Sequence, residues 1–531
     1  MGNLYSAQEQ ETPGSTAVTL LLCTLLAIII LFTSPYRASN LPICTDSVEY
    51  AIGAENIVET GRFFIRIQNE ELPSRYPPWF SLIALAPSYL VFGCEPVGNA
   101  IISITFFSIM GIIAAFLIGH RISGKWGGFS SASILLLLPA YRAYSHHVMT
   151  EIPCSALALL LSLLYLDMRA APTIPLRRFA VAGIIAGVAS AFRPACAAFV
   201  LPFILLSIFT KKTSLSLVMP ILLLAIPQFI IAVATMAYNA ATFGSIKETG
   251  YNFWCSDIFS NPHLVFSVSF LKINLPELLI SGLPALLFTI CCLWIGLSHS
   301  KEGFPQEKRE TAKSLIYYLL MGTGPIVILH LFYFWYDQRF FLPSLAVLAA
   351  LTGGLFGRLM GGMPGKLLLA IQITLMAAAL AFRAVHTPTE PARCKTTERI
   401  KNTTPPNALV ISSIDPVYLE YFLCRDSQRR ILPLSRSVDY TSTNVARQSQ
   451  NITLTNINIY ANSQKNHGGL YPYVAEERLD LLAGEIKKNI PVFMDTSQIN
   501  RSDMEAIGKI SEYFNLTQRD QYLYELTLKH E

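Results

Sequence analysis

Apolar runs of about 17 to 24 residues recur from Thr16 to Ala384, each long enough to cross a hydrocarbon core roughly 30 Å thick. In lipid, a backbone satisfies its polar groups only inside helices or closed barrels, and runs of this length are helical spans. With 52% hydrophobic and 14% charged residues over 531 positions, the chain is too apolar for a soluble protein of its size. The expected fold class is a polytopic α-helical membrane protein. Candidate spans fall at 17–33, 97–119, 128–144, 150–167, 179–194, 195–210, 214–237, 278–298, 314–334, 340–357 and 366–385, giving about eleven transmembrane helices. The first is preceded by Glu9 and Glu11 and by no Lys or Arg, unlike a cleavable signal peptide, so it is expected to be retained.

Segment 77–93 is nearly long enough to cross, but it opens Pro77-Pro78 and contains Pro87. Counting it as a crossing flips the side of every later loop, and the positive-inside rule arbitrates. With 77–93 lying partly in or along the membrane, the inner loops hold Arg121, Lys125, Arg169, Arg177, Arg178, Lys211, Lys212, Lys301, Lys308, Arg309, Lys313, Arg358 and Lys366. The turns near 145–149 and 334–339 then hold only Arg339. This parity places the first outer loop 34–76, the turn 145–151, the large outer loop 238–277 and everything after residue 385 on one non-cytoplasmic side. The net charge of +5 is divided among loops, and no basic stripe with interleaved aromatics occurs, so a nucleic-acid partner is not expected.

After His386 the membrane-length runs stop. The chain divides into a membrane part, 1–385, and a soluble α/β domain, 386–531. In the latter, Ala408–Ser412, Ile431–Leu434 and Pro491–Met494 read as strands, Asp415-Pro416 starts a helix with proline at its first position, and 475–488 has helical spacing. About four strands are expected. Cys394 and Cys424 share this domain and form a disulfide only in an oxidising compartment; the other cysteines read as small apolar packing residues. Sequons occur at Asn402, Asn451 and Asn515.

Long connectors that carry carboxylates, aromatics and prolines tend to hold function. Loop 34–76 contains Asp46-Ser47-Val48-Glu49-Tyr50-Ala51 and runs on into Arg75-Tyr76-Pro77-Pro78-Trp79. Asp46 is either a chemical centre or the cap of a short helix beginning at Ser47. Arg193, where two apolar runs meet, either faces a cavity or snorkels to the interface. Arg339 is either an anion ligand or an anchor beside Phe334, Trp335 and Tyr336. His146, His147 and Glu151 lack the spacing of a metal site, because adjacent histidines do not converge on one ion from a regular helix. Hydrogen-bonding or sugar contacts fit them better than a metal, which the sequence neither requires nor excludes, and no cofactor is expected.

Taken together and in order, these pieces resemble the GT-C membrane glycosyltransferases, in particular the protein mannosyltransferase and aminoarabinose transferase group. Asp46 to Ala51 is similar to the family's Asp-x-x-x-Tyr-Ala, and Arg75 to Trp79 resembles its basic/aromatic-Pro-Pro segment. Pro139 to Pro153, Phe192-Arg193-Pro194, Tyr238-Asn239, Phe243-Gly244-Ser245, Thr249-Gly250-Tyr251 and Arg339 to Pro343 complete the series. The aminoarabinose branch has a lysine directly before the two prolines, where this chain has Tyr76 with Arg75 one place earlier.

The resemblance implies an inverting glycosyltransferase in a bacterial plasma membrane. It would move a hexosyl or pentosyl group from a polyprenyl-phosphate donor to a hydroxyl of a glycan, lipid or protein acceptor. In that reading Asp46 is the general base, its pKa raised by partial desolvation. Arg339, Arg193 and Arg75 hold the donor phosphate, and Glu49, Tyr50, Tyr76, His146, His147 and Glu151 contact sugar or acceptor. The competing classes are a secondary transporter or lipid flippase, for which no internal repeat is found, and a non-catalytic binder of polyprenyl-phosphate sugars.

Overall fold

The computed structural model describes residues 45–67, 70–94, 98–210, 214–254, 259, 262–279, 306–334, 337–359, 392–425, 427–434, 474–497, 499 and 501–529, with isolated positions at 17, 18, 20, 21, 24, 25 and 28. Most of the expected spans 17–33 and 278–298, and all of 366–385, lie outside them.

Helix α1, Thr45–Thr60, begins two residues before the position expected from Ser47, so Asp46 sits in its first turn. It buries Val48, Ala51 and Ala54 completely and ends at Gly61, whose φ of 71° is the left-handed stop that a residue without Cβ adopts freely. A short hairpin follows, with β1, Ile65–Ile67, pairing antiparallel to β2, Glu70–Leu72. Segment 77–93 then becomes a π turn, Ser81–Leu85, running into α2, Ala86–Phe92. That piece is among the short apolar helices, below the length of a full span.

Five described helical segments are long and apolar enough to cross a membrane: Asn99–Leu137, Glu151–Ala170, Leu217–Phe243, Gln306–Leu331 and Gln338–Gly357. The longest lies in α3, Gly98–Leu137, which leaves helical geometry at Ser123 and Gly124 (φ +68°). There it doubles back on itself. A Cβ on Gly119 would lie 2.2 Å from the Gly127 carbonyl oxygen, a contact possible only between two adjacent legs. The expected spans 97–119 and 128–144 are thus one tight hairpin. The second leg stops at Leu137, because Pro139 cannot extend it and instead opens the separate helix Pro139–Tyr144. Helix Leu342–Leu359 packs along this hairpin through small residues, with the Ser131 hydroxyl donating to the Ala350 carbonyl at 2.7 Å.

Cys154 and Cys196 are buried in the bundle, as expected of packing residues. Ion pairing of Arg121 with Asp167, and donation from Arg178 to the Asp167 carbonyl, gather the basic turns at one end of the bundle. At the other end lie Asp46, Glu151, Arg193 and Arg339. The region expected as the outer loop 238–277 begins later than expected. Its preceding helix, Ser214–Phe243, continues past residue 237, and short helices Gly250–Trp254 and Pro262–Val265 follow.

Among the described residues the C-terminal region has five strands where about four were expected, arranged across one sheet as Arg430–Pro433, Leu409–Ser412, Val492–Asp495, Leu523–Leu528 and Phe514–Asp520. Strands β3 (Leu409–Ser412), β4 (Arg430–Pro433) and β5 (Val492–Asp495) are parallel, and β6 (Phe514–Asp520) and β7 (Leu523–Leu528) add an antiparallel hairpin. That hairpin escaped sequence reading because exposed Gln518, Arg519 and Gln521 interrupt its apolar alternation. Cys424 is a free thiol.

Helix Pro416–Leu419, continued by Glu420–Cys424, packs into the same core as α1. Both Glu55 carboxylate oxygens accept from Arg425 Nη1, at 3.2 and 3.0 Å, and Oε1 also accepts from the Tyr421 hydroxyl at 3.0 Å. Burial raises the Glu55 carboxyl to about 7, with Arg425 and Tyr421 opposing. The raised value means that the docked form holds a proton the undocked form releases. The stability that burial of this carboxyl lends to docking is therefore complete below the ordinary carboxylate range and lost as pH rises through about 7. In Arg425→Ala, hydrogen–deuterium exchange over 45–60 should quicken by about tenfold, the loss of a charged hydrogen bond. Glu55→Gln should abolish the pH dependence of that protection. Unchanged exchange in both variants would show the contact to be idle.

Candidate active site

Asp46 and Glu49 lie three residues apart on one face of α1. Glu49 is completely buried. Its Oε1 accepts from the Ser74 hydroxyl at 2.8 Å and the Arg75 backbone N–H at 2.7 Å, while Oε2 accepts from Arg75 Nε at 2.9 Å and pairs with Nη2 at 2.8 Å. This fork fixes a guanidinium that is only 9% exposed and leaves Nη2 to reach Asp46 Oδ1 at 3.1 Å. Glu49, expected to contact sugar, instead holds Arg75 from behind and does not line the cavity. Arg75, one place away from the position favoured by the resemblance, points into the site.

The second arginine comes from the far end of the chain. Asp337 caps the 3-10 turn Gln338–Phe341, accepting from the Arg339 backbone N–H at 3.0 Å and pairing with Arg339 Nε at 3.2 Å. So positioned, Arg339 meets Asp46 Oδ2 at 3.4 Å and Glu151 Oε1 at 3.7 Å. Glu151 opens helix Glu151–Ala170, where the positive end of the helix dipole favours a carboxylate. Arg193 follows the end of Leu176–Phe192, pairs with Glu151 Oε1 at 3.4 Å and lies 4.8 Å over the Phe340 ring. Charges thus alternate in one continuous row: Glu49, Arg75, Asp46, Arg339, Glu151, Arg193.

Burial pushes the Asp46 carboxyl up, but Arg75 and Arg339, assisted by the Tyr76 hydroxyl, outweigh it and hold the group below the usual carboxylate range. The sequence expectation was the reverse, a carboxyl made more basic by desolvation. It failed because two guanidiniums from distant segments converge on the same side chain.

These groups border a cavity of about 560 Å³. Tyr50 stacks on Tyr76 with ring centroids 4.3 Å apart, and Tyr251 meets Tyr76 edge-on at 5.6 Å, giving one wall an aromatic surface. Gly250 makes that wall possible, since a Cβ there would lie 2.4 Å from the Ser74 carbonyl oxygen. His146 is buried and His147 packs edge-on against Tyr144 at 5.4 Å; neither lines the cavity, so their expected sugar contacts are not formed by its walls. Sequence reasoning did not single out Asp337 or Tyr251. Tyr251 lay within a quoted motif, and the spacing of Asp337 two places before Arg339 was the available signal for a cap.

Glu151 has one further property. Its Oε2 is buried and has no hydrogen-bond partner among the described residues, although the side chain lines the cavity. A buried acceptor left unmet costs on the order of 1–3 kcal/mol.

The structure of ArnT from Cupriavidus metallidurans bound to undecaprenyl phosphate resembles this chain over 96% of its length and 97% of that protein's, with a TM-score of 0.53 and 11% sequence identity. The chain has the GT-C glycosyltransferase fold. The same ArnT in its apo state matches at a TM-score of 0.45 and 12% identity, covering 96% of this chain and 98% of that one. The archaeal oligosaccharyltransferase AglB from Archaeoglobus fulgidus, in complex with an inhibitory peptide and a dolichol-phosphate, matches at 0.48 and 10% identity, covering 90% and 69%. No family model matches the sequence, and no curated protein matches it. In this chain the row of charges joins helix α1 to the ends of bundle helices.

Neutralising Glu49 would break the fork that holds the buried Arg75 guanidinium. Glu49→Gln should lower stability by about 3–5 kcal/mol, the range for breaking a buried pair by removing one partner. Thermal unfolding in detergent measures this, and a midpoint matching wild type would mean that Arg75 does not depend on Glu49.

Proposed function

We propose that the chain is an inverting glycosyltransferase that moves a hexosyl or pentosyl group from a polyprenyl-phosphate donor to an acceptor hydroxyl. The observation that carries this reading is the meeting of Arg75, Arg339 and Arg193 with Asp46 and Glu151 at one cavity of a GT-C fold. The bound undecaprenyl phosphate of the similar ArnT structure supports a lipid phosphate as the ligand class.

Displacement at an anomeric carbon leaves a phosphate whose charge grows in the transition state, and fixed guanidinium donors favour that state over the ground state. The arginines are not surplus cations. With Asp337 included, three guanidiniums face four carboxylates, so an entering phosphate must share donors already engaged. In this reading Arg339 swings part of its bonding from Asp46 to the phosphate, assisted by Arg193 and Arg75. Asp46 keeps the arginines aimed into the cavity, and the Tyr50–Tyr76–Tyr251 wall receives the sugar. Its aromatic faces suit the apolar C–H face of a pyranose.

The clustering of basic turns at the end opposite the cavity supports a non-cytoplasmic active site by the positive-inside rule. Region 386–531 lies on that outer side with 1–385 as the membrane part, in a bacterial plasma membrane.

Purified protein incubated with a panel of radiolabelled polyprenyl-phosphate sugars should retain and turn over at least one of them. Asp46→Asn should lose about 10²-fold or more in turnover, the scale of one displaced electrostatic group, while still retaining donor. Retention without turnover by the wild-type protein under all acceptors tried would favour a non-catalytic binder. Full activity in Asp46→Asn would remove the mechanism.

A further inference from the structure

Paired charges suit a phosphate, whereas a sugar needs neutral partners that are not already engaged. Resting on the transferase reading above, we infer that His330 and Asn239 bind hydroxyls of the transferred sugar, and that this sugar is uncharged, neither an amino sugar nor a uronic acid.

Both side chains line the cavity, and each residue is only 7% exposed. They come from different helices, His330 from Gly324–Leu331 and Asn239 from Ser214–Phe243. His330 Nδ1 lies 2.8 Å from the Ile326 carbonyl oxygen of its own helix. A carbonyl only accepts, so Nδ1 carries the proton, and in the neutral imidazole Nε2 keeps a lone pair. With Nδ1 turned back to the helix, Nε2 is at the far edge of the ring. Neither Nε2 nor the Asn239 carboxamide has a hydrogen-bond partner among the described residues. Unlike Glu151 Oε2, they are not sealed in the wall. Buried polar groups require partners, and here a ligand is the available one.

His330 also stands next to the charged row. Its ring lies 4.7 Å from that of Phe340, and the Arg193 guanidinium lies 4.8 Å over the same Phe340 ring. A sugar whose phosphate meets the arginines passes beside the imidazole. There Nε2 accepts from a sugar O–H, while the Asn239 carboxamide can both donate and accept. An ammonium on the sugar would need a carboxylate, and Asp46 and Glu151 are already paired with guanidiniums. A uronate would meet those two carboxylates as a like charge. A hydroxyl carries neither penalty. A site that bonds a hydroxyl also rejects the analogue lacking it, because its own buried polar group is then left unmet.

The test measures retention and transfer by the full-length protein with undecaprenyl-phosphate donors. These carry neutral hexoses, their single deoxy forms, an amino sugar or a uronic acid. Wild type should prefer the neutral hexoses. His330→Phe keeps a ring on Phe340 but removes the acceptor, so it should lose about tenfold or more in kcat/KM. Its retention of plain undecaprenyl phosphate should match wild type. The deoxy donor lacking the hydroxyl that His330 binds should be poor for wild type and cost His330→Phe nothing further. Asn239→Leu should be blind in the same way to a different hydroxyl. His330→Gln keeps an acceptor and should recover part of the loss. A merely structural role would slow all donors alike. The inference is overturned if both variants slow every deoxy donor in proportion or stay within about twofold of wild type. A wild-type preference for the amino sugar or the uronic acid also overturns it. In those cases transfer by wild type leaves the transferase reading standing. If wild type transfers from no donor, that reading falls, and the deoxy comparison in retention still decides His330 and Asn239.

Discussion

The ion pair between Asp46 and Arg339 joins residues 293 positions apart, and the arrangement of the cavity depends on it. Neither group tolerates burial alone. A carboxylate and a guanidinium at the edge of an apolar bundle are stable only as partners, and the pairing requires α1, the hairpin strands after it and the turn before Leu342–Leu359 to arrive together. The remaining charges extend the same constraint outward. Glu49 supports Arg75 from the buried side, Asp337 fixes Arg339 by capping its turn, and Glu151 ties Arg339 to Arg193.

Such a row is not a simple cationic pocket. Each guanidinium is already paired with a carboxylate, so an anion gains only the difference between its own contacts and those it displaces. That difference is small for a substrate carrying one negative charge and larger once a leaving phosphate carries two, which is the direction catalysis needs. The C-terminal sheet region takes part mechanically, because Tyr421 and Arg425 grip Glu55 on the helix that carries Asp46.

Much of this was legible in the sequence. The length of the apolar runs gave the fold class, and the loop around Asp46 stood out because carboxylates, arginine and paired prolines crowd a region between spans. Arg193 and Arg339 stood out because charge beside membrane-length segments demands a partner. What the sequence could not give was which partner. The bidentate grip of Glu49 on Arg75 depends on a chain reversal at the Ile65–Leu72 hairpin, and the burial of Glu55 depends on docking by residues more than 360 positions away. The two legs 97–119 and 128–144 were legible as separate spans, but the tightness of the turn at Ser123-Gly124 was not, because hydropathy does not register a positive φ. The basicity of Asp46 was misjudged for the same reason: desolvation is visible in an apolar context, but the convergence of two arginines is a tertiary event.

The account stands or falls on where a lipid phosphate sits. An experimental density map of the protein with undecaprenyl phosphate, in lipid nanodiscs, measures this directly. The account predicts phosphate oxygens within hydrogen-bond distance of the Arg339 and Arg75 guanidiniums, beside Asp46 and opening toward Glu151. A phosphate bound at the end of the bundle that carries Arg121 and Arg178, or outside this cavity altogether, would contradict it.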